Sequence, residues 1–185
     1  MAKKNFTYKH SGDSKKKFIK SKKIIVFDLD STLIFSKKKN GKRTLQTRPN
    51  LLKTLDILEK KFNLAIFTSG NEDYAAWVLK TIEKKKKYFY KILSHDDTKV
   101  INGKHVKDLR LVTEDLRKVL LIDDKKKSFM QPENGILISH YTGETKDNKL
   151  NLLTNLLNKI SNSKDMPSEL GMAKYKNELK KIAEN

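Results

Sequence analysis

The chain has no cysteine among its 185 residues. That excludes a disulfide framework, a thiolate metal centre and every mechanism built on a cysteine nucleophile. Long apolar runs are also missing: none approaches a membrane span, and the N-terminus lacks the apolar core of a signal peptide. A soluble intracellular protein, nuclear or cytoplasmic, is therefore expected, with no membrane and no disulfide partner. Acid is in short supply. Lys and Arg number 41 against 22 Asp and Glu, a formal charge of +19. Such an excess favours anionic partners, whether nucleic acid, phosphorylated protein or an acidic membrane face. Lysine runs beside many Asn and Ile also arise from composition alone, so the charge admits direct nucleic-acid binding without favouring it.

What is present fits one domain with tails: 37% hydrophobic and 34% charged residues over a length that can bury a core. Residues 1–21 read as a flexible basic tail, 22–160 as the domain, and 161–185 as a polar, partly helical extension. No internal repeat is visible. Ile24 to Phe27 read as a strand buried on both faces that runs into Asp28 and Asp30. Asn40-Gly41 marks a hairpin standing as a flap beyond those acids. A helix starts at Pro49, with Leu52, Leu55, Leu58 and Phe62 at helical spacing and Asn63 as its breaker. "LAIFT" is a second strand, ending at Thr68. Asn71 caps a helix whose buried stripe is Ala75, Val78, Leu79 and Ile82; Trp77 falls off that stripe and is a candidate pocket edge. Residues 88–106, with the Asn102-Gly103 turn, suggest a small antiparallel insert. "KVLLID" and "GILIS" are further strands, and Leu150, Leu153, Leu157 and Ile160 mark a last amphipathic helix.

Apolar strands alternating with amphipathic helices predict an α/β fold, a Rossmann-like parallel sheet covered on both faces. Ligands in such folds bind at the carboxyl ends of the strands. Asp28, Asp30, Thr68, Asp123 and Asp124 all stand at those ends and should meet in one crevice. Four carboxylates in one place repel unless a cation holds them, and oxygen ligands without His or Cys point to Mg²⁺. In that setting Asp28 can attack phosphorus and Asp30 can protonate the leaving oxygen, then activate water. Thr68 and the turn at Ser69 and Gly70 offer a hydroxyl and N–H groups to phosphate oxygens. Lys107 offers positive charge to the transition state.

"FDLDSTL", "IFTSG", "HVKDL" and "LLIDD" resemble, in order, the four motifs of the haloacid-dehalogenase superfamily. The details are most similar to its RNA polymerase II C-terminal-domain phosphatases, in the small, NLI-interacting-factor-like branch. Arg48-Pro49 before the first helix and "QPENGI" at 131–136 belong to that likeness, which covers about residues 22–160. The resemblance implies a Mg²⁺-dependent phosphatase acting on phosphoserine or phosphothreonine of a phosphorylated protein or peptide. It implies Asp28 as nucleophile and Asp30 as general acid/base with its backbone carbonyl on Mg²⁺. Thr68 and Lys107 would hold the phosphoryl group, Asp124 would ligate the metal, and Asp123 would orient Lys107 or a metal-bound water. Small-branch members usually carry Asn at the place of Asp124, and many relatives carry Arg at the place of His95, so substrate choice does not transfer.

Other readings of the same residues are blander. His95, Asp96, Asp97 and His105 fit turn-forming acids and surface histidines better than a second metal site. Ser69 fits a backbone phosphate donor better than a nucleophile, because no His base follows it in a triad. "NGKRT" lacks the upstream glycine of a P-loop. Two alternative functions stay open: a nucleic-acid or small-molecule phosphatase on this fold, and a scaffold with a vestigial site.

Overall fold

In the computed structural model, which describes residues 16–184, the apolar run after Lys22 forms β1 (Lys23–Phe27). A hairpin follows, β2 (Ile34–Lys39) and β3 (Lys42–Thr47), turning at Asn40 and Gly41, both at positive φ. Then come α1 (Leu51–Leu58), β4 (Phe62–Phe67), α2 (Glu72–Ile82) and β5 (Phe89–Leu93). A second hairpin, β6 (Lys99–Ile101) and β7 (Lys104–Val106), precedes β8 (Val119–Asp123) and β9 (Gly135–Leu137). The chain ends in α3 (Lys149–Ile160), α4 (Met166–Leu170) and α5 (Lys176–Ala183).

Five strands form one parallel sheet in the order β5-β4-β1-β8-β9. The chain builds outward from β1 to one side through β4 and β5, and to the other through β8 and β9. That reversal leaves a crevice at the carboxyl end of β1. The two faces are covered differently. Ile25, Phe27, Leu64, Ile66, Leu120 and Ile122 join the apolar sides of α1, α2 and α3 in the larger core. Ile24, Val26, Ala65, Phe67, Val119 and Leu121 pack against Leu109, Leu116 and Phe129. The second face is thus roofed by the segments that flank β8, 107–118 and 124–131, and this roof brings Lys107 to the crevice. Phe129 reaches over β9 because Gly135 has no Cβ; one built there would lie 2.6 Å from the ring.

Several local expectations need correction. The stripe on α1 is Leu51, Leu55 and Leu58 with Thr54, while Leu52 is exposed. Phe62 and Asn63 lie in β4, so Asn63 breaks no helix. Its buried amide accepts from the Ile19 N–H at 2.9 Å and donates to the carbonyls of Ile19 and Lys22. Residues 19–21 of the expected tail are therefore held against the sheet; residues 1–15 of that tail lie outside the described residues. Most of "YFYKIL" is β5, an edge strand of the parallel sheet, so the antiparallel insert shrinks to β6 and β7. The expected polar extension is docked: Met166, Leu170, Tyr175 and Ile182 are buried, and the Ser139 N–H donates to the Ile182 carbonyl. Asn71 caps α2 as expected, accepting from the Tyr74 N–H at 2.9 Å.

Candidate active site

β1 delivers Asp28 to the crevice, and the Asp28 N–H donates to the Ile122 carbonyl at 2.9 Å, locking the residue to β8. Lys107 Nζ lies 2.7 Å from Asp28 Oδ1 and 2.5 Å from Asp123 Oδ2. All three side chains are buried. Burial pushes the Asp28 carboxyl up, to about 7, against the pull of Lys107. Burial also disfavours the Lys107 ammonium, but Asp28 and Asp123 outweigh it and hold its pKa above the usual value. An unpaired charge here would cost several kcal/mol, about 3–5 when one partner of a buried pair is removed, so the three groups depend on one another.

Asp123 Oδ1 accepts from the Lys125 N–H at 2.8 Å. Asp124 follows on the other side of the strand end. Its N–H donates to Thr32 Oγ1 at 3.1 Å, and its Oδ2 meets His140 Nδ1 at 2.7 Å. Its Oδ1 is buried with no hydrogen-bond partner. Buried acceptors are rarely left so, because the lost hydration is not repaid. Asp28, Asp123 and Asp124 can each point an oxygen so that these atoms lie within 4.8 Å of one another. Against one ammonium they leave a formal excess of two negative charges. An orphaned oxygen, an all-oxygen donor set and that charge deficit together fit a hard divalent cation such as Mg²⁺.

Asp30 is placed otherwise. Past β1 the chain turns sharply: Ser31 adopts φ 60°, and the Leu33 and Ile34 N–H groups donate to the Leu29 carbonyl. A non-glycine residue at positive φ is uncommon and costs of order 1 kcal/mol. Half-buried Asp30 emerges from this turn with its carboxylate directed at Tyr74 and Ser36. The Tyr74 hydroxyl donates to Asp30 Oδ1 in a short hydrogen bond, and Ser36 Oγ lies 3.3 Å from the same oxygen. Burial and the Asp30 bond hold the Tyr74 phenol well above its usual pKa. Gly70 makes the arrangement possible, since a Cβ there would sit 2.6 Å from the Tyr74 ring. The carboxylates of Asp28, Asp123 and Asp124 gather in one place, Asp123 being held by Lys107 and the Lys125 N–H; the carboxylate of Asp30, a residue expected to offer a metal only its backbone carbonyl, stays apart.

Thr68 ends β4 with its hydroxyl accepting from the Gly70 N–H at 3.0 Å; it is buried and makes no hydrogen bond to the carboxylates. Ser69 is exposed, and its carbonyl lies 3.2 Å from His95 Nδ1. His95 and His105 lie against each other with ring centroids 4.4 Å apart and planes tilted by 40°. Among the described residues the carboxylate cluster at Asp28 is the one group of acids, His or Cys suited to a metal, and these two histidines are not part of it. Trp77 is half-buried beside Tyr74, and the Arg43 guanidinium of β3 lies over both rings, at 4.7 and 5.8 Å. The sequence reading missed Tyr74, Ser36, Thr32 and His140. Only Tyr74 carried a signal, as an aromatic in the first turn of α2 just after "TSG".

Comparison with known proteins matches residues 23–167 to the family described as NLI interacting factor-like phosphatase. Among curated relatives, the mitochondrial import inner membrane translocase subunit TIM50 of Caenorhabditis briggsae is 35% identical over 147 residues, which is 77% of this chain and 32% of that protein. CTD small phosphatase-like protein 2 of Dictyostelium discoideum is 32% identical over 120 residues, 64% of this chain and 21% of that protein. The chain spans about a third or less of the length of these relatives. The structure of Fcp1, an essential RNA polymerase II CTD phosphatase, superposes with a TM-score of 0.55 at 19% identity, covering 80% of this chain and 52% of that one, a likeness of fold. The nuclear or cytoplasmic address expected above is overturned by the relatives named as mitochondrial translocase subunits. Among the described residues no helix is long and apolar enough to cross a membrane.

Proposed function

Because the chain belongs to the NLI interacting factor-like phosphatase family, within the haloacid-dehalogenase superfamily, we propose that it hydrolyses phosphoserine or phosphothreonine esters on protein through a phosphoaspartate at Asp28. The observation that carries this reading is the Lys107 ammonium gripped between Asp28 and Asp123, beside the free buried oxygen of Asp124. Lys107 engages Asp28 Oδ1, so the other Asp28 oxygen is available to attack phosphorus. As that P–O bond forms, the ester P–O bond breaks, and the leaving alkoxide takes a proton from Asp30. Asp30 then accepts a proton from water, whose oxygen attacks phosphorus, releases inorganic phosphate and restores the Asp28 carboxylate. Lys107, paired with both acids, stabilises the charge on the equatorial phosphoryl oxygens. Thr68 and the N–H groups after it receive the phosphate at the start of α2. Asp28 and Asp124 would hold Mg²⁺, which supplies compensating charge to nucleophile and phosphoryl group.

Only the β2–β3 hairpin stands between the first acids and α1, and the insert is a single short hairpin, so the crevice is accessible to a macromolecule. This favours a phosphorylated protein over a small metabolite. A second reading follows from the relatives named as translocase subunits: a protein-binding subunit of a mitochondrial import assembly, with or without turnover. One assay separates the two. Mg²⁺-dependent phosphate release is measured from an aryl phosphate, a phosphopeptide panel and phosphorylated oligonucleotides, with Asp28→Asn as control. Turnover of the aryl phosphate and phosphopeptides, abolished in the variant, is expected. Inactivity on every substrate would favour the binding subunit, and preference for oligonucleotides would overturn the protein substrate.

A further inference from the structure

His140 takes no part in the chemistry above, yet both of its ring nitrogens are tied to it. Nδ1 lies 2.7 Å from Asp124 Oδ2, and Nε2 lies 3.3 Å from Ser31 Oγ. The backbone around it is fixed: the Ile138 N–H donates to the Asp123 carbonyl, Ser139 is tied to Ile182, and the Tyr141 N–H donates to the Ser31 carbonyl at 2.8 Å. The imidazole is therefore carried on a rigid frame that already contains the site. A surface histidine facing an acid often contributes little, and the His140 side chain is 52% exposed. Its partner, however, is 1% exposed. No other described group hydrogen-bonds the Asp124 carboxylate, and a carboxylate held at neither oxygen turns readily about its last torsion.

Resting on the reading that Mg²⁺ is held between Asp28 and Asp124, we propose that His140 is a positioning residue for the metal. By donating from Nδ1 to Oδ2, it fixes the carboxylate so that Oδ1 is presented to the cation. Metal ligands are commonly oriented by such outer hydrogen bonds, whose loss lowers affinity about 10- to 100-fold. Asp124 is a ligand supplied by a strand end with a single side-chain partner, so that dependence should be strong here.

The test is the dissociation constant for Mg²⁺, measured calorimetrically on the full chain, with circular dichroism melts of each variant as the check on folding. His140→Ala should weaken binding by about 10-fold or more. Two further variants separate the nitrogens. His140→Asn keeps a donor near the place of Nδ1 and should restore most of the affinity. His140→Gln moves the donor toward the place of Nε2 and should not. Wild-type affinity in His140→Ala, or rescue by Gln in place of Asn, would overturn the proposal while leaving the metal reading intact. Failure of the wild-type chain to bind Mg²⁺ at all would instead bring down the metal reading and the proposal with it.

Discussion

Asp28 and Asp30 are two residues apart and are held in opposite ways. Asp28 is buried at the end of a central strand, pinned through its backbone to β8 and through its carboxylate to Lys107. Asp30 is half-buried at the start of a strained turn, and its carboxylate is held by Tyr74 and Ser36, side chains from α2 and the hairpin. In the proposed mechanism the nucleophile is thus a property of the sheet and the acid/base a property of its rim. A group that must attack along one line gains from rigidity. One that gives and takes protons with different partners tolerates a looser mount.

The largest effect should come from the rigid side. Asp28→Asn is expected to lower kcat by at least about 10³-fold, while the melting temperature falls less than in the lysine variant, because Asp123 still pairs with Lys107. Lys107→Met comes next. It leaves Asp28 and Asp123 facing each other without a counter-charge, and chemical denaturation should show a loss of about 3 kcal/mol along with most of the activity. The rim should be more forgiving. Tyr74→Phe removes the hydroxyl from Asp30 but leaves the carboxylate, and should cost about 10-fold in kcat, less than the roughly 10²- to 10⁴-fold of a general acid/base itself, with little change in stability. A loss as deep as that of Asp28→Asn would break the distinction between the two aspartates. The smallest effect is expected from Arg43→Ala, which removes a partly exposed guanidinium–aromatic contact worth about 0.5–1 kcal/mol. Chemical denaturation should then show a loss of about that size while kcat on a phosphopeptide holds.

The same contrast explains what could be read in the sequence. Apolar runs that end in acids announce central strands and a charged crevice, because a strand buried on both faces has no other pattern. β1 and β8 were legible for that reason, as was the meeting of Asp28, Asp123 and Asp124; β4 was legible from its apolar run alone, which ends at Thr68. β5 was not. An edge strand with a half-buried middle looks like a piece of antiparallel sheet, so "YFYKIL" was placed in the insert. Phe62 kept helical spacing from Leu58 although α1 had already ended. Tyr74, Ser36, Thr32 and His140 were hidden for a different reason. Tyr74, Thr32 and His140 meet their partners across elements distant in sequence, 44 residues for Tyr74 and Asp30, 92 for Thr32 and Asp124 and 16 for His140 and Asp124. Ser36, six residues from Asp30, reaches it only because the chain turns back into β2; no local periodicity encodes such pairings. The docking of Met166, Leu170 and Ile182 escaped notice because short amphipathic helices at a chain end resemble a solvated tail.

The measurement that bears most directly on the central claim is chemical trapping of the phosphorylated carboxylate. The wild-type chain is quenched with borohydride during turnover of an aryl phosphate, which reduces an acyl phosphate to the alcohol and turns that aspartate into homoserine. Peptide mass spectrometry then locates it. Homoserine at position 28 alone, dependent on substrate and absent without it, is the predicted result. An actively turning-over enzyme with no reduced residue, or with the reduction at Asp30, Asp123 or Asp124, would contradict the assignment of Asp28 as nucleophile.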